Sequence, residues 1–388
     1  MKRRSVIGAL AAGLFLPLLP AKSLANAARG GKRLILVELS GANDGLNTVI
    51  PFLNDRYNAL RPTLAIPRQS IIGAQGGLGF HPSLRPLMKA FEQGDCAIVQ
   101  GLGYPGRNQS HFESIAHWDT GSGPHLHRST GWLTEDVLQR SQDTPIDAHG
   151  ISLDGNLGPF ASDRGIWLSI ESLAAYRPAA RNQPAQPNTA LATPLAGIQA
   201  QYHALDRSLQ RISGKLDRLQ MGHNTVFDGD FGRQAEMAAL LIEAGVSAPV
   251  LKLRLDGFDT HEFQAEHHAN LLEDLGSTLA KLRERLIETG HWGDTIIMTY
   301  SEFGRRAKEN GSFGTDHGAA APHFVMGGAV QGGFWGLEPD LENLSDDDLP
   351  FTTDYRALYE AVLSGWFGST TNEFSPFRQP YLSGMFSS

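Results

Sequence analysis

Carboxylates and imidazoles recur along this chain in short polar clusters beside apolar runs, and both groups are good ligands for a divalent cation. Asn43-Asp44 follows the run Leu34 to Leu39, and Asn108-Gln109-Ser110-His111 follows Cys96 to Gln100 by one loop. Asp259-Thr260-His261 follows Val250 to Leu255, Ser301-Glu302 follows Thr295 to Tyr300, and Asp316-His317-Gly318 precedes His323 to Met326. Each cluster has an ordinary explanation when taken alone. Asn43-Asp44-Gly45 suits a tight turn, Asp259 can cap a helix beginning at His261, and Glu302 can pair with Arg305 or Arg306 on the surface. Together they are harder to dismiss. Carboxylates at the ends of buried strands are costly unless solvated, paired or metal-bound, and ligands spread over several strand ends are what a metal cage needs. The expected ligands are Asp44, Asp259, His261, Glu302, Asp316 and His317. The expected cofactor is a divalent metal, zinc first, with magnesium, calcium or manganese as alternatives.

Ser110 is the candidate nucleophile, because a hydroxyl becomes reactive at neutral pH only beside a base or a metal. His111 is the candidate acid or base, with His317 as another. Ser110 and Glu113 also have the spacing of a capping box, so Ser110 is expected to head a helix whose N-terminus favours an anion. Arg107, Asn108 and Arg305 are expected to hold an anionic substrate, since guanidinium groups match phosphate and sulfate oxygens. His125 and His127 lie in an irregular stretch within reach of the same site.

Strands must position these residues. Leu34-Ile35-Leu36-Val37-Glu38-Leu39 is nearly continuous in apolar, β-branched character and ends in turn residues, the pattern of a strand buried on both faces. The runs at Cys96, Val250, Thr295 and His323 read the same way. Helical spacing lies between them over Pro82 to Gln93, Gln234 to Gly245, His261 to Thr289 and Asp354 to Gly365. This alternation predicts an α/β fold, a mostly parallel central sheet sandwiched by helices, with functional groups beyond the carboxyl ends of the strands. Residues 120–220 break the alternation and read as an irregular cap or insertion, with a helix over Leu195 to Leu219.

The 388 residues are 41% hydrophobic, enough for a large core, and carry a formal net charge of -8. With no basic surplus to neutralise phosphates, general nucleic-acid binding is excluded. The single cysteine, Cys96, sits in an apolar run and is expected to be buried. Lys2-Arg3-Arg4, an apolar stretch from Val6 to Leu19 and Ala25-Asn26-Ala27 give the charged, apolar, small-residue order of a signal peptide over 1–27. The paired arginines indicate the twin-arginine route and a periplasmic or secreted protein. No stretch of the mature chain is expected to span a bilayer.

Ser40-Gly41-Ala42-Asn43-Asp44-Gly45-Leu46-Asn47, Asn108-Gln109-Ser110-His111-Phe112, Phe258-Asp259-Thr260-His261, Ser301-Glu302-Phe303-Gly304-Arg305 and Gly314-Thr315-Asp316-His317-Gly318 resemble the motifs of the domain-of-unknown-function family 1501. The resemblance runs over nearly the whole mature chain, 28–388, in both order and spacing. It implies twin-arginine export and an alkaline-phosphatase-like fold, the superfamily of sulfatases and phosphomutases. It also implies an activity on phosphate or sulfate esters, with a small anionic ester or an envelope component as the partner. Asp44 resembles the carboxylate of a second metal and Ser110 the nucleophile. Asp259 and His261 resemble the first metal's Asp and His, more closely spaced than usual, and His317 the last metal-binding histidine. Glu302-Phe303 stands where that superfamily has an Asp-His pair. That departure implies one metal, a substitute ligand such as Asp316 or His111, or lost catalysis. The alternative reading is therefore a catalytically degenerate binding or envelope-assembly protein that retains the fold.

Overall fold

The computed structural model describes residues 31–106, 109–142, 145–169, 193–219, 226–371 and 373–387. The expected signal peptide and two of the expected substrate contacts, Arg107 and Asn108, lie outside them.

The apolar runs at Leu34, Cys96, Val250 and Thr295 form strands as their composition predicts. In chain order the first strands of the main sheet are β1 (Arg33–Ser40), β2 (Cys96–Gly103), β3 (Gly150–Ser152), β4 (Trp167–Ser169), β5 (Val250–Asp256) and β6 (Thr295–Tyr300). A hairpin of β7 (Gly304–Glu309) and β8 (Thr315–Gly318) follows, then β9 (Ala321–Gly327), β10 (Gly333–Trp335) and the two-residue β11 (Thr353–Asp354). The main sheet runs in the order β10-β2-β9-β6-β1-β5-β3-β4, with β11 paired to β2. β1 lies at its centre, parallel to β5 on one side and β6 on the other. Leu34, Ile35, Leu36, Val37 and Leu39 are all fully buried, as expected of a strand with helices over both faces.

The helices include α1 (His111–Thr120), α2 (Thr193–Leu216), α3 (Gly229–Glu243), α4 (Gln264–Glu288) and α5 (Tyr355–Glu360). One layer of core, with Leu272, Leu275, Leu279, Leu282 and Leu286 of α4, packs under one face of the sheet. The other layer gathers Trp118, Trp132, Tyr355 and Tyr359, with Trp118 stacked on Tyr355 at 4.2 Å between ring centroids. Cys96 is buried in β2.

The sheet is mostly parallel, as expected, with β9 running antiparallel to both β2 and β6. Two expectations need revision. Residues 120–220 are not wholly irregular: β3 and β4 extend the main sheet in parallel beyond β5. Gly and Ser within that stretch hid two three-residue strands too short to show a period. α4 begins at Gln264, not His261, because Phe263 sits at its N-cap position in the left-handed region, φ 47°. The reversed β9 has a consequence for the site. Its amino-terminal end lies at the same edge as the carboxyl ends of β1, β5 and β6, so the hairpin before it delivers Asp316 and His317 there.

Candidate metal centre

Four donor atoms converge at this edge. His317 Nε2 lies 3.1 Å from His111 Nε2, 2.9 Å from His261 Nε2 and 3.3 Å from Asp259 Oδ1. Asp259 Oδ1 lies 3.0 Å from His261 Nε2 and 3.6 Å from His111 Nε2. Two ligands of a tetrahedral zinc with bonds of about 2.0–2.1 Å sit about 3.4 Å apart, and these five separations bracket that value. His111, Asp259 and His317 form a mutually close trio, which His261 joins through Asp259 and His317.

The elements explain the convergence. Ser110 caps α1 by accepting from Glu113 N, at 3.5 Å, and this places His111 in the first turn. Asp259 and His261 come from the turn after β5, anchored by the fully buried Phe258. Gly41, at φ +107°, makes the close approach possible. A β-carbon there would lie 2.4 Å from the backbone nitrogen of Asp259, so only glycine lets the loop after β1 touch the loop after β5. His317 stands opposite Arg305 in the hairpin, and Arg305 donates to Asp259 Oδ1 at 2.5 Å.

Each imidazole is oriented through its other nitrogen. His111 Nδ1 is 2.6 Å from Glu302 Oε1, His317 Nδ1 is 3.1 Å from the carbonyl of Gln109, and His261 Nδ1 is 3.4 Å from Asp316 Oδ1. Carbonyl and carboxylate oxygens only accept, so Nδ1 carries the proton in all three rings and Nε2 presents a lone pair inward. This is the usual support for a metal-binding histidine. Glu302 itself is buried, 3% exposed, and also accepts from Gly41 N at 2.9 Å and Ser301 Oγ at 3.0 Å. Burial raises the pKa of Glu302, but the His111 hydrogen bond and the backbone donors outweigh it and hold the carboxyl below its usual range. The same hydrogen bond raises the pKa of His111. For His317, burial and the nearby Arg305 lower it. Burial pushes Asp259 up, and Arg305 more than reverses this. Asp259, Glu302 and Asp316 carry three negative charges, against Arg305 paired with Asp259 and Arg306 acting on Asp316, so the fixed charges around the cluster are net acidic.

The expected site residues therefore divide. Asp259, His261 and His317 meet, and His111 joins them as a further donor. Glu302 and Asp316 stand behind His111 and His261. Asp44 is elsewhere. It is fully buried, held by Arg61 at 2.5 and 2.9 Å and by Gln264 at 2.5 Å. Its pKa is lowered: burial raises it, but Arg61 prevails. Arg61 and Gln264 already occupy both of its oxygens, and Asp44 is not among the mutually close donors. Arg305, 1% exposed, is likewise committed inside, to the carbonyls of Gly41, Ala42, Phe258 and Thr315 besides Asp259. It fixes the loops and does not face a substrate. Phe303 is buried beside the cluster, its ring centroid 4.9 Å from that of His111 and 4.7 Å from that of His317. Arg61, Gln264 and Asn310 were not anticipated. Nothing in their surroundings in the sequence distinguishes them from ordinary helix and turn residues.

The model of the family described as Protein of unknown function (DUF1501) matches residues 172–366, half of the chain. The chain belongs to the DUF1501 family. No curated protein matches it. Among solved structures, similarity extends to a protein in the alkaline phosphatase superfamily from Vibrio parahaemolyticus, at 12% identity and TM-score 0.36, covering 78% of this chain and 62% of that one. The lipoteichoic acid synthase LtaP from Listeria monocytogenes has 10% identity and TM-score 0.38, covering 93% of this chain and 77% of that one. The C-terminal periplasmic domain of EcEptC from Escherichia coli, solved in complex with Zn, has 11% identity and TM-score 0.35, covering 76% and 73%. In this DUF1501 chain the described residues include no helix long and apolar enough to cross a membrane.

Proposed function

We propose that the protein is an exported, metal-dependent hydrolase of phosphate or sulfate esters, with zinc as the first candidate cofactor. One observation supports this most: three imidazoles, each with Nδ1 engaged by an acceptor, turn Nε2 toward one carboxylate oxygen. A bound divalent cation would supply Lewis acidity to an ester oxygen and acidify a water. The chain's own residues do the rest. His111, His261, His317 and Asp259 would hold the ion, and Glu302 and Asp316 keep the protons of His111 and His261 on the outer nitrogens. Ser110, exposed at the head of α1 beside His111, is the proposed nucleophile, with water as its competitor. The N-terminus of α1 adds partial positive charge for an anionic substrate. Arg107 and Asn108, shortly before it in the sequence, are the proposed substrate contacts. The charged, apolar and small-residue order of residues 1–27 supports export to the periplasm or beyond.

Phe303 favours a second reading. Its phenyl ring fills the place beside His111 and His317 where the resemblance expects an imidazole, and Arg61 already neutralises Asp44. Both point to one cation in place of two, and a one-cation site also suits a binding or envelope-assembly protein. The test is turnover of an aryl phosphate and an aryl sulfate by metal-analysed protein. Metal-dependent release that disappears in Ser110→Ala supports the hydrolase with a serine nucleophile. Release that survives Ser110→Ala assigns the attack to water. A metal-replete protein inert to both esters overturns the hydrolase reading.

A further inference from the structure

His261 is held differently from the other two imidazoles of the centre. The acceptor behind His317 is a backbone carbonyl and the acceptor behind His111 is the buried Glu302, so the fold fixes both. The acceptor behind His261 is Asp316, whose side chain is 52% exposed. Left alone, an exposed carboxylate keeps its rotamer freedom and exchanges its hydrogen bonds with water. Asn310 removes that freedom.

Asn310 follows β7 and opens the turn into β8. Its Nδ2 donates to Asp316 Oδ1 at 3.1 Å and to the carbonyl of His261 at 2.9 Å. Its Oδ1 accepts from Ser312 N at 2.9 Å and from Gly314 N at 3.1 Å. A carboxamide has two N–H donors and two lone pairs, and all are used here. These partners also fix which end is nitrogen, because backbone N–H groups only donate, and a carbonyl and a carboxylate only accept. The Asp316 oxygen that Asn310 holds is the one 3.4 Å from His261 Nδ1. One amide therefore grips His261 twice, at its backbone and through the carboxylate behind its ring. Gly314 makes the grip possible, since a β-carbon there would lie 2.2 Å from the carbonyl carbon and oxygen of His261.

We propose that Asn310 positions His261, keeping its proton on Nδ1 and its Nε2 turned toward Asp259 and His317, and that the affinity of the centre for a divalent cation depends on this. The first half stands on the hydrogen bonds. The second rests on the metal reading given above.

The test uses the full chain and the variant Asn310→Asp. A carboxylate keeps an acceptor for Ser312 N and Gly314 N, but it sets an oxygen against Asp316 and the His261 carbonyl where two N–H groups stood. Asn310→Ser, whose hydroxyl also accepts from Ser312 N, supplies the reading if the carboxylate unfolds the turn. Two quantities are measured: the nitrogen chemical shifts of the histidine rings in metal-free protein at mildly alkaline pH, and the zinc Kd by competition with a chelator. The wild type is expected to show His261 in the Nδ1–H form. The variants are expected to move it toward a mixture of tautomers and to weaken zinc about 10–100-fold, the loss typical of a missing support behind a ligand. Combined with Asp316→Ala, either variant should add much less than its own factor, because Asn310 acts largely through Asp316. An unshifted His261 in the folded variants, an unchanged zinc Kd, or effects that multiply in full with Asp316→Ala overturns the proposal. A wild type that takes up no zinc, with His261 shifted in the variants, removes the metal reading and the affinity half with it, while Asn310 stands as the residue that sets the ring.

Discussion

Replacing Glu302 with glutamine isolates the support behind His111. The substitution keeps the shape and one oxygen, so Gly41 N and Ser301 Oγ can retain an acceptor, but it removes the charge 2.6 Å from His111 Nδ1. A hydrogen bond to a buried charged group contributes about 1.5–3 kcal/mol. Part of that stabilises protonated His111 in the metal-free protein, and part strengthens the imidazole as a ligand. Loss of such a partner typically weakens metal binding about 10–100-fold, or about 1.4–2.7 kcal/mol. The assay is competition for zinc against a chromophoric chelator at neutral pH. The zinc Kd of Glu302→Gln should rise by that factor while the melting temperature changes little. If Glu302 were itself a ligand, the loss would instead be that of a whole bond, beyond 100-fold, since a zinc site distributes roughly 10–16 kcal/mol over four ligands. An unchanged Kd would refute the inference that this carboxylate orients His111.

Three more outcomes follow from the packing. Asp44→Asn leaves Arg61 buried without its carboxylate and should cost roughly 3–5 kcal/mol of stability in denaturant titration. The folded variant should still take up the full complement of metal, and a lost equivalent would restore Asp44 as a ligand. Gly41→Ala places a methyl against the backbone of Asp259 and should reduce metal occupancy even where circular dichroism stays native-like. The third outcome concerns pH. Burial lowers the His81 pKa to about 4, below an unfolded value of about 6.5. A neutral native imidazole gives full stability above the unfolded pKa, and this is lost as pH falls from about 6.5 toward 4, by at most about 1.4 kcal/mol per unit. His268, lowered by burial to about 3, acts in the same direction. Asp119, raised by burial to about 7, acts in the opposite one. The comparison is therefore with His81→Asn, which keeps the capping acceptor for Ser83 N and should flatten the pH dependence across that window. An identical slope in both proteins would contradict the assignment.

The sequence shows where the site lies better than it shows what each residue does there. Apolar runs ending in polar clusters reveal β1, β5 and β6 and the edge at which they end. Strand direction is less legible. Nothing in His323 to Met326 says that β9 is reversed, and that reversal depends on the β7–β8 hairpin. Roles depend on partners distant along the chain. Asp44 reads as a ligand until Arg61, 17 residues on, claims both its oxygens. Glu302 sits at the expected strand end, but its side chain reaches His111, 191 residues earlier. His111 reads either as an acid or base or as a substitute ligand, and only its partners distinguish the two: Nε2 faces His317 at 3.1 Å.

The central claim is that His111, Asp259, His261 and His317 bind one divalent cation. Zinc K-edge absorption on the protein loaded with one equivalent of zinc tests it directly. The account predicts three imidazoles and one carboxylate or water oxygen at about 2.0–2.1 Å, with the multiple scattering of imidazole rings in the outer shells. A first shell of oxygens lacking that imidazole signature, or failure of the folded protein to retain zinc, would contradict it.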